Sequence, residues 1–164
     1  MPPLGSSFAQ SNLSLLIMTA KRQIKQLGTA GLKRFRLTDQ QCLLLETLRE
    51  VGPVCLSDLA TELRLDHPTA SRLVHTLEER ALLKVRLDPK HRRRVLIHLD
   101  EDNQTFLDEL HHIVQTYRSR LEAGLTEEEK STLRACLGKL VTNLDTMEQD
   151  LLAGRIGSVG QPLA

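Results

Sequence analysis

The chain has 164 residues, 40 % of them hydrophobic and only 2 % aromatic, enough for one domain or two small interlocked parts whose core rests on Leu, Val and Ile. Its formal net charge of +1 conceals a split, because residues 64–99 hold nine Lys/Arg against four acids and residues 100–164 hold six against twelve. Charge segregated in this way excludes a uniformly neutral surface and points to one segment meeting a polyanion while another stays in solvent.

Residues 1–12 and 153–164 are rich in Gly, Ser and Pro and are expected to be loose tails. Leu13, Ile17, Ala20, Ile24 and Leu27 recur at three- and four-residue spacing, which predicts a first amphipathic helix. A basic connector, Lys33-Arg34-Phe35-Arg36, follows. Thr38 is placed to cap a second helix over residues 41–49, which Gly52-Pro53 ends. A short extended piece at Val54 leads to a third helix with Leu59, Ala60 and Leu63. Cys55 holds its N-cap position, where a thiol is a weak acceptor, so a soft helix start is expected. After the turn Arg64-Leu65-Asp66, Asp66 caps a fourth helix with Pro68 in its first turn.

That fourth helix turns Ala70, Leu73, Val74 and Leu77 inward, while Pro68, Arg72, His75 and Glu79 face away, each residue advancing about 100°. The first part of the outward face carries no acid and is flanked by Thr69 and Ser71. Short hydroxyls, an Arg and a His suit the base edges and phosphates of a DNA groove. Two short helices joined by a tight turn make a helix-turn-helix.

Leu83, Val85 and Leu87 then alternate with Lys84 and Arg86, and after the turn at Asp88-Pro89 the residues Val95, Ile97 and Leu99 alternate on the way back. This is the period of two strands half-buried on one face, a wing whose tip carries Lys90-His91-Arg92-Arg93-Arg94. Phe106, Leu110, Ile113, Tyr117 and Leu121 line a fifth helix. Thr126 with Glu129 forms a capping box before a sixth, whose Leu133, Leu137, Leu140, Leu144, Met147 and Leu151 form a heptad seam. Such a seam calls for another helix along its length, and a homodimer that also uses Leu13 and Ile17 is expected.

The expected fold is mainly α: a winged helix-turn-helix over 37–100, with 13–36 and 101–152 as a helical dimerisation region. The order of elements resembles the MarR family of bacterial transcription regulators over roughly residues 13–152. The strings that carry the resemblance are Leu37-Thr38-Asp39-Gln40-Gln41, Asp58-Leu59-Ala60, Thr69-Ala70-Ser71-Arg72-Leu73-Val74, Leu77-Glu78 and Asp88-Pro89-Lys90-His91-Arg92-Arg93. Three positions depart from the family pattern. Ala81 stands where Gly usually follows the recognition helix, His91 replaces an Asp two residues before Arg93, and Leu99-Asp100 replaces Leu-Thr before the fifth helix. The resemblance implies a homodimer on a pseudo-palindromic double-stranded DNA operator, usually a repressor, released in many relatives by a small molecule or an oxidant. It assigns Thr69, Ser71, Arg72 and His75 to the major groove and Lys90, Arg92, Arg93 and Arg94 of the wing to the minor groove.

Enzyme chemistry finds no foothold. There is no Gly-rich phosphate loop, no HExxH and no nucleophile set in a strand-turn-helix context, so no catalytic residue and no cofactor are expected. His111-His112 are adjacent and point about 100° apart, a poor arrangement for one metal ion. Three scattered cysteines exclude a disulfide framework and fit a reducing cytoplasm. Cys55, near a helix N-terminus, is the candidate for a redox switch, whereas Cys42 and Cys136 are expected to pack among apolar residues. The apolar run over residues 13–18 is too short to span a membrane and no charged leader precedes it, so a cytoplasmic protein is expected. The rival reading is a winged-helix module that binds a protein partner and not DNA.

Overall fold

The computed structural model describes residues 11–91 and 94–155. The expected tails therefore lie almost wholly outside the described residues, as do the wing residues Arg92 and Arg93. Among the described residues six α-helices and one two-stranded sheet follow in order: α1 Leu13–Leu32, α2 Asp39–Val51, α3 Leu56–Glu62, α4 His67–Glu79, β1 Leu83–Leu87, β2 Val95–Leu99, α5 Gln104–Leu121 and α6 Glu127–Leu152. Single 3₁₀ turns at Lys33–Phe35 and Glu101–Asn103 precede α2 and α5. The chain forms two compact units, one ending at Gln115 and the other beginning at Thr116.

The helix starts follow from local hydrogen bonding. Asn12, Thr38, Asp66 and Thr126 each accept a backbone N–H of the first turn of α1, α2, α4 and α6. Thr38 with Gln41 and Thr126 with Glu129 close full capping boxes. Cys55 is the N-cap of α3 and makes no side-chain cap bond, as its weak acceptor sulfur leads one to expect. Two helices run longer than their apolar spacing predicts. α1 continues through Gly28 and Gly31 to Leu32, and α2 reaches from Asp39 to Val51. Gly52, at φ 77° and ψ −165°, then turns the chain in a region that only glycine occupies freely.

The core of the first unit gathers Leu44, Leu45 and Leu48 of α2, Leu59 of α3, Val74 and Leu77 of α4, Leu83 and Ile97 of the sheet, and Leu107 and Leu110 of α5. Phe35 closes one end, meeting Phe106 edge to face with ring centroids 5.3 Å apart. Each of the leucines at full burial contributes about 1.5–3 kcal/mol. Leu83 pairs with Leu99, Val85 with Ile97 and Leu87 with Val95, and Ile97 also donates to the Val54 carbonyl, so the extended piece at Val54 joins the sheet edge.

The strand faces depart from expectation. Alternation places Leu83, Val85 and Leu87 on one side, yet only Leu83 is buried, while Val85, Leu87 and Val95 are exposed. The wing extends past the body beneath it, and its outer half has no core to cover it. Asp100 caps the 3₁₀ turn at Glu101–Asn103 and not α5 itself. In the second unit, Lys130 bridges Glu122 and Glu127, and no residue of α6 is buried.

Ala81 is left-handed, at φ 54°, where α4 gives way to β1. Asn103 Nδ2 donates to its carbonyl, and Asp100 N–H donates to Leu82 O, so the turn is fastened by the segment that leaves β2 at the same end of the sheet. A Cβ in this conformation costs roughly 1–2 kcal/mol, partly offset for glycine by its greater freedom when unfolded. Ala81→Gly is therefore expected to raise stability by about 0.5–1 kcal/mol, read as a higher urea midpoint at unchanged slope.

Candidate nucleic-acid interface

The face that α4 turns outward is built by the burial of its opposite side. Ala70, Val74 and Leu77 are buried and Leu73 is half-buried, which leaves Ser71, Arg72 and His75 exposed and Thr69 half-exposed. Asp66 accepts from both the Thr69 N–H and the Thr69 hydroxyl, each at 2.8 Å. The Thr69 backbone bond is the main reason that the Asp66 carboxyl sits below the usual carboxylate range, so its charge stays at the helix start. Arg72 spends only Nε, which donates to Pro68 O at 3.3 Å, and its guanidinium stays exposed. His75 lies 3.3 Å from Glu79 one turn on.

Arg80, at the end of α4, anchors the helix. Its two terminal nitrogens donate to Phe35 O and Arg36 O, both at 2.8 Å. The helix is thereby fixed to the connector ahead of α2.

The wing turn is closed by Asp88, whose N–H donates to Arg94 O and whose carboxylate accepts the Lys90 N–H, both at 2.8 Å. Lys90 and His91 are exposed at the tip. Arg94 bends back to Asp58 of α3 at 2.6 Å. Its guanidinium, facing Cys55 first and then Asp58, is held further toward its charged form. The structure thus brings Ser71, Arg72, His75 and Lys90 to the surface, ties Thr69 and Arg94 to neighbouring carboxylates, and leaves Arg92 and Arg93 outside the described residues.

At the base of β1, Lys84 bonds both Asp100, at 2.6 Å, and Asp102. The Lys84 ammonium holds the Asp100 carboxyl below its ordinary range, and the carboxylates in turn raise Lys84. A depressed carboxyl stabilises the fold above its unfolded pKa near 4 and loses that contribution as pH falls through the folded value. Lys84→Met is therefore expected to lower the melting temperature at pH 7 and to close the gap with the parent protein as the pH is taken below 4. A gap that stays constant into acid would show that the ion pair contributes nothing.

The predicted thiols separate. Cys42 is buried, and burial, with Glu46 and Asp39 adding, pushes it up to about 12. Cys55 is half-buried beside Arg94. Cys136 is exposed and not packed, because α6 buries none of its residues. His111 Nδ1 donates to the Glu46 carboxylate of α2 at 2.8 Å, and no cluster of three or more metal-binding side chains occurs among the described residues. Leu13, Ile17, Leu133, Leu137, Leu144, Met147 and Leu151 are exposed and Leu140 is half-buried. Sequence reading missed Arg80, Asp58 and Asn103, whose partners lie far along the chain.

A recognition helix with an exposed polar face, standing beside a two-stranded wing, defines a winged helix-turn-helix protein. Residues 37–94 match the model of the MarR family. The chain is 28 % identical over 141 residues to the HTH-type transcriptional regulator MgrA of Staphylococcus aureus, covering 85 % of this chain and 95 % of that protein. It superposes on the MepR–DNA complex of Staphylococcus aureus with TM-score 0.72 and 25 % identity, over 85 % of this chain and 99 % of that one. Bordetella bronchiseptica BpsR, whose DNA binding is regulated by 6-hydroxynicotinic acid, shares the fold at TM-score 0.67 and 24 % identity, over 83 % and 96 % of the two chains. Over residues 37–94 the chain matches the MarR family of regulators, and its similarity to MgrA and MepR extends that likeness over most of its length.

Proposed function

We propose that this protein is a sequence-specific regulator of transcription that binds a pseudo-palindromic double-stranded DNA operator as a homodimer, represses, and is released by a small molecule. The observation that carries the reading is the exposed face of α4, where Ser71, Arg72 and His75 stand clear of the core with no acid among them. In this reading Thr69, Ser71, Arg72 and His75 meet the major groove, and Lys90, Arg92, Arg93 and Arg94 serve the wing in the minor groove. Leu13, Ile17 and the α6 row from Leu133 to Leu151 lie between the two copies. The protein works in the cytoplasm and catalyses no reaction. No helix among the described residues is long and apolar enough to cross a membrane.

The experiment is a titration of the purified protein against a palindrome selected from random duplexes and against a scrambled duplex, at several salt concentrations. The reading expects strong preference for the palindrome and affinity that falls linearly with log salt on a log scale. Lys90→Ala should weaken both duplexes alike and lower the salt slope by about one unit per lost phosphate contact. Absence of preference and of salt dependence would leave the protein-binding module as the account. For the effector, small aromatic acids and other ligands are screened for release of the bound palindrome. A peroxide response that disappears in Cys55→Ser would put a thiol switch in place of the small molecule.

A further inference from the structure

The chain contains no acidic residue before Asp39, yet it carries Lys21, Arg22, Lys25, Lys33, Arg34 and Arg36 in that stretch. All six are exposed, and none takes part in an ion pair among the described residues. Elsewhere Arg49, Lys84, Arg94, Arg118 and Lys130 each have a carboxylate partner, whereas the exposed Arg72, Arg86 and Lys90 of the winged-helix unit share with these six the lack of an ion pair among the described residues. On α1, Lys21, Arg22 and Lys25 lie roughly 80–180° around the helix from the Leu13–Ile17–Ile24–Leu27 row, so a partner helix on that row leaves the cations open.

The connector that holds the other three is not a loose loop. Phe35 is buried, Arg34 stacks over its ring at 4.6 Å, and Arg36 is held left-handed at φ 54°. Arg80 clasps the carbonyls of Phe35 and Arg36 from the end of α4, so Lys33, Arg34 and Arg36 keep a fixed position relative to the recognition helix. Six exposed cations with no acid on the same stretch of chain make a positive surface, and a polyanion is the partner that such a surface attracts.

We infer that Lys21, Arg22, Lys25, Lys33, Arg34 and Arg36 form a second phosphate-contacting surface that grips the backbone of the same operator duplex read by α4. This rests on the DNA-binding reading above and extends it. Backbone contacts position a protein without reading bases, so this surface adds affinity and salt dependence and leaves sequence preference untouched.

Two triple variants test it: Lys33→Gln/Arg34→Gln/Arg36→Asn, in which Asn tolerates the left-handed backbone, and Lys21→Gln/Arg22→Gln/Lys25→Gln on the exposed side of α1. Each is titrated, beside the parent, against the selected palindrome with long flanks and against a scrambled duplex of the same length. Circular dichroism melts confirm the fold. The expected result is a salt slope shallower by about 0.9 for each cation in contact, with the same loss on both duplexes and an unchanged palindrome-to-scramble ratio. Folded variants that keep the parent's slope and affinity overturn the inference, as does a loss confined to the palindrome, which would make these groups readers of sequence. A parent that binds no duplex at all would instead remove the DNA-binding reading itself.

Discussion

Leu144→Asp is expected to turn the dimer into a monomer or an aggregate and, with it, to abolish tight operator binding. Leu144 is 61 % exposed in the single chain and belongs to a row with Leu137, Met147 and Leu151 on a helix that buries none of its 26 residues. A helix of that length is ~39 Å long, and an apolar stripe along it stays soluble only when another helix covers it. A carboxylate placed in the covered stripe has no partner, and the cost of burying it unpaired is several kcal/mol. The monomer carries one recognition helix, so the half-sites about 10 base pairs apart, centre to centre, are no longer gripped together. Sedimentation equilibrium reads the mass and the duplex titration reads the consequence. An unchanged dimer in Leu144→Asp and in Leu137→Asp would place the subunit interface elsewhere.

Arg72→Ala is expected to cost about 1–3 kcal/mol of operator affinity and to relax preference at one symmetric pair of positions. The side chain leaves its terminal guanidinium nitrogens uncommitted, since only Nε is engaged, with Pro68 O. A bidentate fork aimed from the first half of the helix is the usual reader of guanine. The substitution leaves the core untouched, because Ala70, Val74 and Leu77 carry the packing of this helix. Selection of preferred duplexes with the variant should therefore give the parent's sequence everywhere except at that pair. Uniform weakening across all sequences would make Arg72 a phosphate contact and move the reading of bases to Ser71 and His75.

What could be read from the chain and what could not divides by distance along it. The caps at Thr38, Asp66 and Thr126 were legible because both partners lie within three residues. The inward stripe of α4 was legible because helical period and burial coincide. The site's supports were not: Arg80 reaches back 44 residues to Arg36, Arg94 reaches 36 to Asp58, and Asn103 fastens the Ala81 turn across 22. No local pattern marks such partners, since each exists only once the core has brought two elements together. The strands show the complementary error. Alternation says which side chains share a face, but whether that face is covered depends on how far the body extends beneath it, and Leu87 at 68 % exposure lies beyond its edge. For the same reason, Cys136 looked like a packing residue from its neighbours on α6.

Cys42 gives the molecule an internal clock. Its thiol is buried and pushed up to about 12, which disfavours the reactive thiolate in the folded state, so an alkylating reagent meets it chiefly when α2 lets go of the core. Cys55 and Cys136 are half-buried and exposed, and they take the label without waiting for that event. The slow third adduct in a labelling time course, followed by intact mass, therefore reports the opening of the winged-helix unit directly, and its rate divided by that of the unfolded chain gives the free energy of that opening.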